Sequence, residues 1–151
     1  MNEVDLFELR KPQHLFAEVQ KAMVEYSREP SSRLLLFVVF ALNHLREWIA
    51  GAGYEILKGK CSFGQLLLPE EEFYFQLWEL NEFRIVNSLC NRGKHVVSKC
   101  GGTTSVTSEM TCNSPCSDSL DQIYYRIDGV DSREIFFPVM RKYNDWFASN
   151  G

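Results

Sequence analysis

The sequence lacks a long hydrophobic run, an excess of positive charge and a secretory signal. Its most apolar stretch, Leu34–Leu42, is about half as long as the ~20-residue segment that spans a membrane as a helix. The N-terminal residues are mixed and charged, without a basic segment followed by an apolar run. Together with an odd number of cysteines, five, these features predict a cytoplasmic protein with reduced thiols and no membrane association.

The sequence also lacks the usual patterns of metal binding. A di-metal carboxylate bundle needs Glu-x-x-His on paired helices, and the chain contains no such pair. Cys112 and Cys116, with Cys100 and His95, supply four potential zinc ligands, but they do not form the two tight ligand pairs of structural zinc sites. We therefore predict no metal and no cofactor.

The charge and composition describe an acidic globular protein. The formal net charge is −4 at pH 7, which disfavours non-specific binding to nucleic acid but is compatible with a small local basic site. With 151 residues, 45% of them hydrophobic and 13% aromatic, the chain can bury one good core. We predict a single domain over residues 1–151, with a Ser/Thr/Cys-rich loop inserted at about residues 100–120 that is either mobile or functional.

Most of the remaining chain shows helical periodicity. A first helix begins at Pro12 and stops at Pro30, a second runs from Arg33 to Ile49, and a third begins at Pro69 and continues to about Gly93. The first part of the second helix is apolar on every side, so we expect this helix to be the central, most enclosed one. Residues 54–68 are compatible with either a helical turn or a loop.

The C-terminal part predicts a hairpin followed by a helix. IYYRID and REIFF alternate like strands around the turn signal Asp128-Gly129, and Pro138 is typical of the start of a last helix. The predicted fold is therefore mainly α: an antiparallel helical bundle of four to five helices with one small β-hairpin before the C-terminal helix.

Polar residues interrupt two of the helices. His44 and Trp48 are four residues apart and share a face of the second helix, where the indole can orient the imidazole. The alternative is a histidine and a tryptophan that simply belong to the core. Arg46 and Glu47 are expected to face solvent or a neighbouring helix.

The third helix ends in a second polar group. Asn91 and His95 share a face if the helix continues through Gly93, with Lys94 adjacent and Asn87 one turn earlier. These side chains could bind a phosphate, and His95 could transfer a proton. The alternative is a helix end that carries cations because they favour its dipole. In an antiparallel pair of helices, His44 would face either Asn87 or His95. We call His44, Asn87, Asn91, Lys94 and His95 the polar patch.

Two cysteines are interpreted as packing residues, Cys61 and Cys90. A Cys–His nucleophile formed by Cys90 and His95 is disfavoured, because Cys90 falls on the buried stripe of its helix and a buried thiol is inert.

The two motifs, Asn-His-x3-Trp on one helix and Asn-x2-Lys-His at the end of a later one, resemble a group of bacterial and phage helical-bundle proteins of the HEPN class. The likeness covers about residues 33–149. It implies a phosphate-directed role for His95 and Asn91, a link to toxins or defence, and dimerisation, so a homodimer is one expectation. The class's nucleases carry Arg-x4–6-His on one helix, and neither Arg84 nor Arg92 has that spacing from His95.

Two functions follow from these observations. In the first, the polar patch binds a phosphate-bearing ligand, RNA or a nucleotide, with His95 and His44 as catalytic residues and with Asn87, Asn91, Lys94 and Trp48 as binding residues. In the second, the chain is a non-catalytic protein interaction module, such as a phage-encoded inhibitor or an antitoxin-like partner. Its exposed loop and hairpin would then contact a protein partner, and the polar patch would be internal packing.

Overall fold

A computed structural model describes residues 4–94 and 102–151, and helices dominate it. A small antiparallel sheet precedes the C-terminal helix, so the predicted fold class is confirmed. Over the described residues, no single helix is both long and apolar enough to cross a membrane. The helices Ser32–Ala50 and Tyr54–Ser62 meet that criterion only as a pair bent by 45°. The elements are α1 (Pro12–Arg28), α2 (Ser32–Ala50), α3 (Tyr54–Ser62), α4 (Pro69–Glu79), α5 (Asn81–Lys94), β1 (Thr104–Thr107), β2 (Tyr124–Ile127), β3 (Val130–Asp131) and α6 (Ser132–Asn150).

Helix α2 is the centre of the bundle and contacts α1, α4 and α5. Its first turn is capped by Ser31, whose Oγ accepts a hydrogen bond from the Leu34 N–H at 3.2 Å. The expectation that α2 is the central helix is therefore confirmed. Its first part is not enclosed on every side, since Leu36 and Phe37 are 45% and 38% exposed.

The predicted helix from Pro69 to Gly93 is two helices. Leu80 adopts an extended conformation, with φ −79° and ψ 118°, so the chain bends between α4 and α5. The bend lets α4 pack on α2, while α5 packs between α2 and α6. The buried stripe to which Cys90 was assigned is otherwise confirmed. Apart from the half-buried Leu80, the apolar residues that form it are enclosed: Phe73, Leu77, Phe83, Val86 and Cys90.

Residues 54–62 form the short helix α3, which buries only Leu57. Cys61 lies on this helix and is exposed, so its interpretation as a packing residue is wrong. Cys90 is buried, as predicted.

The sheet has three strands in the order β1-β2-β3. The Asp128-Gly129 turn between β2 and β3 is confirmed, since both residues have positive φ, 50° and 79°, as a two-residue type I′ hairpin requires. The segment predicted as a mobile or functional loop contributes β1, which pairs with β2.

The prediction of REIFF as a strand, with Pro138 opening the last helix, is wrong. Helix α6 begins at Ser132, and Pro138 lies inside it. The carboxylate of Asp131 accepts a hydrogen bond from the Arg133 N–H at 3.0 Å and so caps the helix. The apolar residues of α6 then face the core at helical spacing: Ile135, Phe136, Val139 and Tyr143.

Arg133, which is buried, ties three distant segments together. Its guanidinium donates two hydrogen bonds to Asp118, at 3.0 and 2.8 Å, and others to the Asp131 carboxylate. It also donates to the carbonyl of Ser27 at the end of α1. The Tyr124 hydroxyl donates to Asp118 at 2.9 Å. The Ser/Thr/Cys-rich segment is thus fastened to both α1 and α6.

Candidate functional site

The packing of α2 against α5 creates a chain of three side-chain amides. Asn87 on α5 donates its Nδ2–H to Oδ1 of Asn43 on α2 at 2.8 Å. Asn91 donates its Nδ2–H to Oδ1 of Asn87 at 3.3 Å. Asn43 is 4% exposed, whereas Asn91 is exposed to solvent. The amide chain therefore leads from the core to the surface and fixes the orientation of the Asn91 carboxamide.

His44 lies beside the amide chain without belonging to it. Its Nε2 is 3.9 Å from Cys90 Sγ, and its Nδ1 is 3.5 Å from a carboxylate oxygen of Glu47. The residue of α2 that meets Asn87 is Asn43, so the expected pairing of His44 with Asn87 is not the one formed. The His44 side chain is 35% exposed, which leaves the imidazole accessible to a proton donor or acceptor in solution.

The other members of the predicted site are Trp48, Lys94 and His95. Trp48 is half-buried and packs against the hydrophobic core. Lys94 is the last residue of α5. His95 lies outside the described residues, so its approach to His44 stays a prediction.

Cys90 is fully buried beside His44. A thiol in this position is shielded from a substrate in solution. The pair is therefore better suited to positioning the imidazole than to nucleophilic attack.

Arg46 is the residue that sequence reasoning missed. Of the two expected positions, facing solvent or facing a neighbouring helix, Arg46 takes the second: it faces α4 and α5 and is only 8% exposed. Its guanidinium carbon lies 4.0 Å from the ring centroid of Tyr74, 4.7 Å from that of Phe83 and 5.9 Å from that of Trp78. Such cation–π contacts attract the guanidinium to the core. Arg46 Nε–H is buried without a hydrogen-bond partner among the described residues.

Arg46 borders a cavity of about 500 Å³, within the range of small-molecule sites. Asn87 belongs both to this cavity and to the amide chain, so the two features adjoin. Burial raises the pKa of Tyr74, which keeps its phenol neutral at physiological pH. We call this space the aromatic cavity, and it is lined by Arg46, Tyr54, Tyr74, Phe75, Trp78 and Asn87.

A weak signal for this cavity was present in the sequence. Tyr74 and Trp78 are four residues apart and therefore share one face of α4. Arg46 is three residues after Asn43, which places it near the buried amide on α2. Neither spacing shows that the two faces meet, because that depends on how α4 crosses α2.

No group of three or more His, Cys, Asp or Glu side chains in the described ranges is arranged to hold a metal ion. Cys112 and Cys116 are both exposed. The other two potential zinc ligands of the sequence, His95 and Cys100, lie outside those ranges.

Comparisons with protein-family models, with curated proteins and with solved structures found no match. The resemblance to the HEPN class therefore stays a prediction, and the case for a functional site rests on the geometry of α2, α4 and α5.

Proposed function

We propose that the protein binds a phosphate-bearing ligand, RNA or a nucleotide, at the polar patch. The observation that supports this proposal is the exposed carboxamide of Asn91, held in place by the amide chain from the core. One Asn91 N–H is used within that chain. The second N–H remains able to donate to a phosphate oxygen, and the amide oxygen can accept from a hydroxyl group of the ligand.

Lys94 and His95 follow Asn91 by three and four residues, the spacing at which a continued helix would place them on one face. In this proposal Lys94 neutralises the phosphate charge and Asn91 orients it. Where the bound ligand reacts, His95 is the general acid or base. His44 is the second imidazole, oriented by Glu47.

This function fits a small cytoplasmic HEPN-like protein of a bacterium or mobile element, with a defence or toxin role and a homodimeric state. The mainly helical fold supports that class. The Arg84 and Arg92 spacings differ from the nuclease pattern, so ligand binding is the part of the proposal that we advance first.

Charge reversal at Lys94 tests the proposal. Binding of a fluorescently labelled single-stranded RNA and of a labelled nucleotide would be measured by anisotropy for the unaltered protein and for Lys94→Glu. We expect a loss of at least about tenfold and a salt dependence that is shallower by about one phosphate contact. Lys142→Glu, on an exposed position of α6, is the control for net charge. Equal affinities for the two variants would contradict the proposal.

The interaction module is the second candidate, and exposed apolar residues favour it. Val106 on β1 is 61% exposed and Leu120, in the segment before β2, is 94% exposed. Isolated exposed apolar residues are common, but these two lie in the region that this candidate assigns to a protein partner. Capture of a protein that survives Lys94→Glu and is lost in Val106→Asp/Leu120→Asp would favour the module over the phosphate-binding function.

A further inference from the structure

The aromatic cavity contains a cation that the fold leaves unpaired. Arg46 forms no ion pair within 4.0 Å among the described residues. The other two buried arginines among the described residues both have hydrogen-bond acceptors. Arg133 is paired with Asp118 and Asp131, and Arg126 donates to the carbonyls of Glu109 and Gly129. Buried charges in proteins are normally paired in this way, so Arg46 is the exception.

The surroundings of Arg46 attract its charge but do not satisfy its hydrogen bonds. Tyr74 and Phe83 present aromatic rings to the guanidinium, and a ring is a poor hydrogen-bond acceptor. The guanidinium is a rigid fork of N–H donors that matches a planar oxyanion through two parallel hydrogen bonds. A ligand with such an oxyanion would supply the acceptors that the protein does not.

The charge balance favours an anion of charge −1. Among the described residues that line the cavity, Arg46 is the only cationic one. Burial is the main cause of the raised pKa of Tyr74; the positive charge of Arg46 opposes it and the negative charge of Glu47 adds to it. A phosphate monoester with charge −2 would therefore retain an uncompensated negative charge in an aromatic environment, which is costly. A carboxylate would be neutralised.

The other residues that line the cavity indicate the shape of the ligand. Tyr54, Phe75 and Trp78 provide flat apolar surfaces that can stack on an aromatic ring. Asn87 adds a polar group at the side of the amide chain. A compact flat molecule therefore fits this lining better than a long flexible one.

We infer that the aromatic cavity is a binding site for a small aromatic carboxylate, whose carboxylate accepts hydrogen bonds from Arg46 and whose ring stacks on Trp78 and Tyr54. This site adjoins the polar patch at Asn87 but takes a different ligand, because the phosphate would be contacted at the exposed end of the amide chain.

Isothermal titration calorimetry on the full chain tests the inference, with indole-3-acetate as the probe. The uncharged indole-3-acetamide and inorganic phosphate are the comparison ligands. We expect the carboxylate to bind at least about tenfold more tightly than the amide, since hydrogen bonds to a charged group are worth more than neutral ones. Arg46→Met should lose at least about tenfold in affinity, and Trp78→Leu should weaken binding of both indoles. Arg84→Met, at an exposed position of α5, is the matched control and should bind normally.

Three results would overturn the inference: no binding of indole-3-acetate at millimolar concentration, equal binding of acid and amide, or tighter binding of phosphate than of the carboxylate. Arg46→Lys is the second variant if Arg46→Met does not fold by circular dichroism. Lysine keeps the positive charge but not the planar array of N–H donors. Unchanged affinity of this variant for indole-3-acetate would therefore also contradict the inference. Asn91→Ala and Lys94→Glu should leave carboxylate binding intact, which separates this site from the polar patch.

Discussion

Replacing Asp118 by Asn should detach the Ser/Thr/Cys-rich segment from the helices. The Asp118 side chain is 5% exposed, and it accepts hydrogen bonds at 3.0 and 2.8 Å from Arg133. An Asn amide has nearly the same shape, but it offers one acceptor and turns an N–H toward the guanidinium. The substitution therefore loses a charge-assisted hydrogen bond, worth about 1.5–3 kcal/mol, and leaves a buried donor without a partner.

We expect the free energy of unfolding of Asp118→Asn to fall by about 2–3 kcal/mol. For a chain of this size, 1 kcal/mol corresponds to roughly 2–4 °C in melting temperature, so the melting temperature should fall by about 5–10 °C. Differential scanning calorimetry measures this change, and amide hydrogen exchange should accelerate in β1. Asp121→Asn, at an exposed position of the same segment, is the control for the loss of charge. Melting temperatures within about 1 °C for the two variants would refute the role assigned to Asp118.

The remaining predictions concern pH, the buried cation and a helix cap. The hydrogen bond from Arg133 lowers the pKa of Asp118 below its ordinary value. The stability from this pair is therefore present above the ordinary pKa and lost as pH falls through the lowered pKa, so acid titration should narrow the melting-temperature gap between the unaltered protein and Asp118→Asn. A gap that does not narrow on acidification would argue against ionisation as its cause. Arg46→Met removes an unpaired buried charge and should raise the free energy of unfolding by about 1 kcal/mol in a urea titration; a loss above about 2 kcal/mol would mean that the cation–π contacts outweigh desolvation. Ser31→Ala removes the cap of α2 and should cost about 1 kcal/mol in the same titration, with Ser149→Ala near the end of α6 as the neutral control.

Much of the fold could be predicted because apolar spacing carries most of the information. The buried face of α1 follows from Leu15, Val19, Ala22 and Tyr26 at helical intervals, and all four are buried. The bend at Leu80 could not be predicted in the same way. The helical spacing of the apolar residues continues across the bend, from Phe73–Leu77 to Phe83–Val86, although the chain direction changes.

The error over REIFF has a local cause. Ile135, Phe136 and Phe137 favour a strand by composition, and Pro138 is typical of a first helical turn. The capping carboxylate of Asp131 starts α6 at Ser132, earlier than predicted. Burial of one face of α6 against the bundle then stabilises the helix. Tertiary packing overrode the local preference of these residues.

The candidate site was predicted in part. Sequence spacing singled out His44, Asn87 and Asn91, and the structure places them on the two facing helices α2 and α5. Sequence reasoning left Arg46 facing either solvent or a neighbouring helix, because nothing in ALNHLREWI indicates that aromatic rings surround it. The aromatic partners come from α4 and α5, about 28 and 37 residues later in the chain, so only the three-dimensional packing reveals the cavity.

Helix α6 completes interactions that begin at the opposite end of the chain. Tyr26 shares a hydrogen bond with Ser132, 106 residues later, and Tyr143 donates to the carbonyl of Leu42 across 101 residues. During synthesis on the ribosome, α1 and α2 emerge long before these partners exist. We therefore expect the nascent chain to expose apolar surface until α6 is released, so that chains truncated before α6 would depend on chaperones and be degraded rapidly.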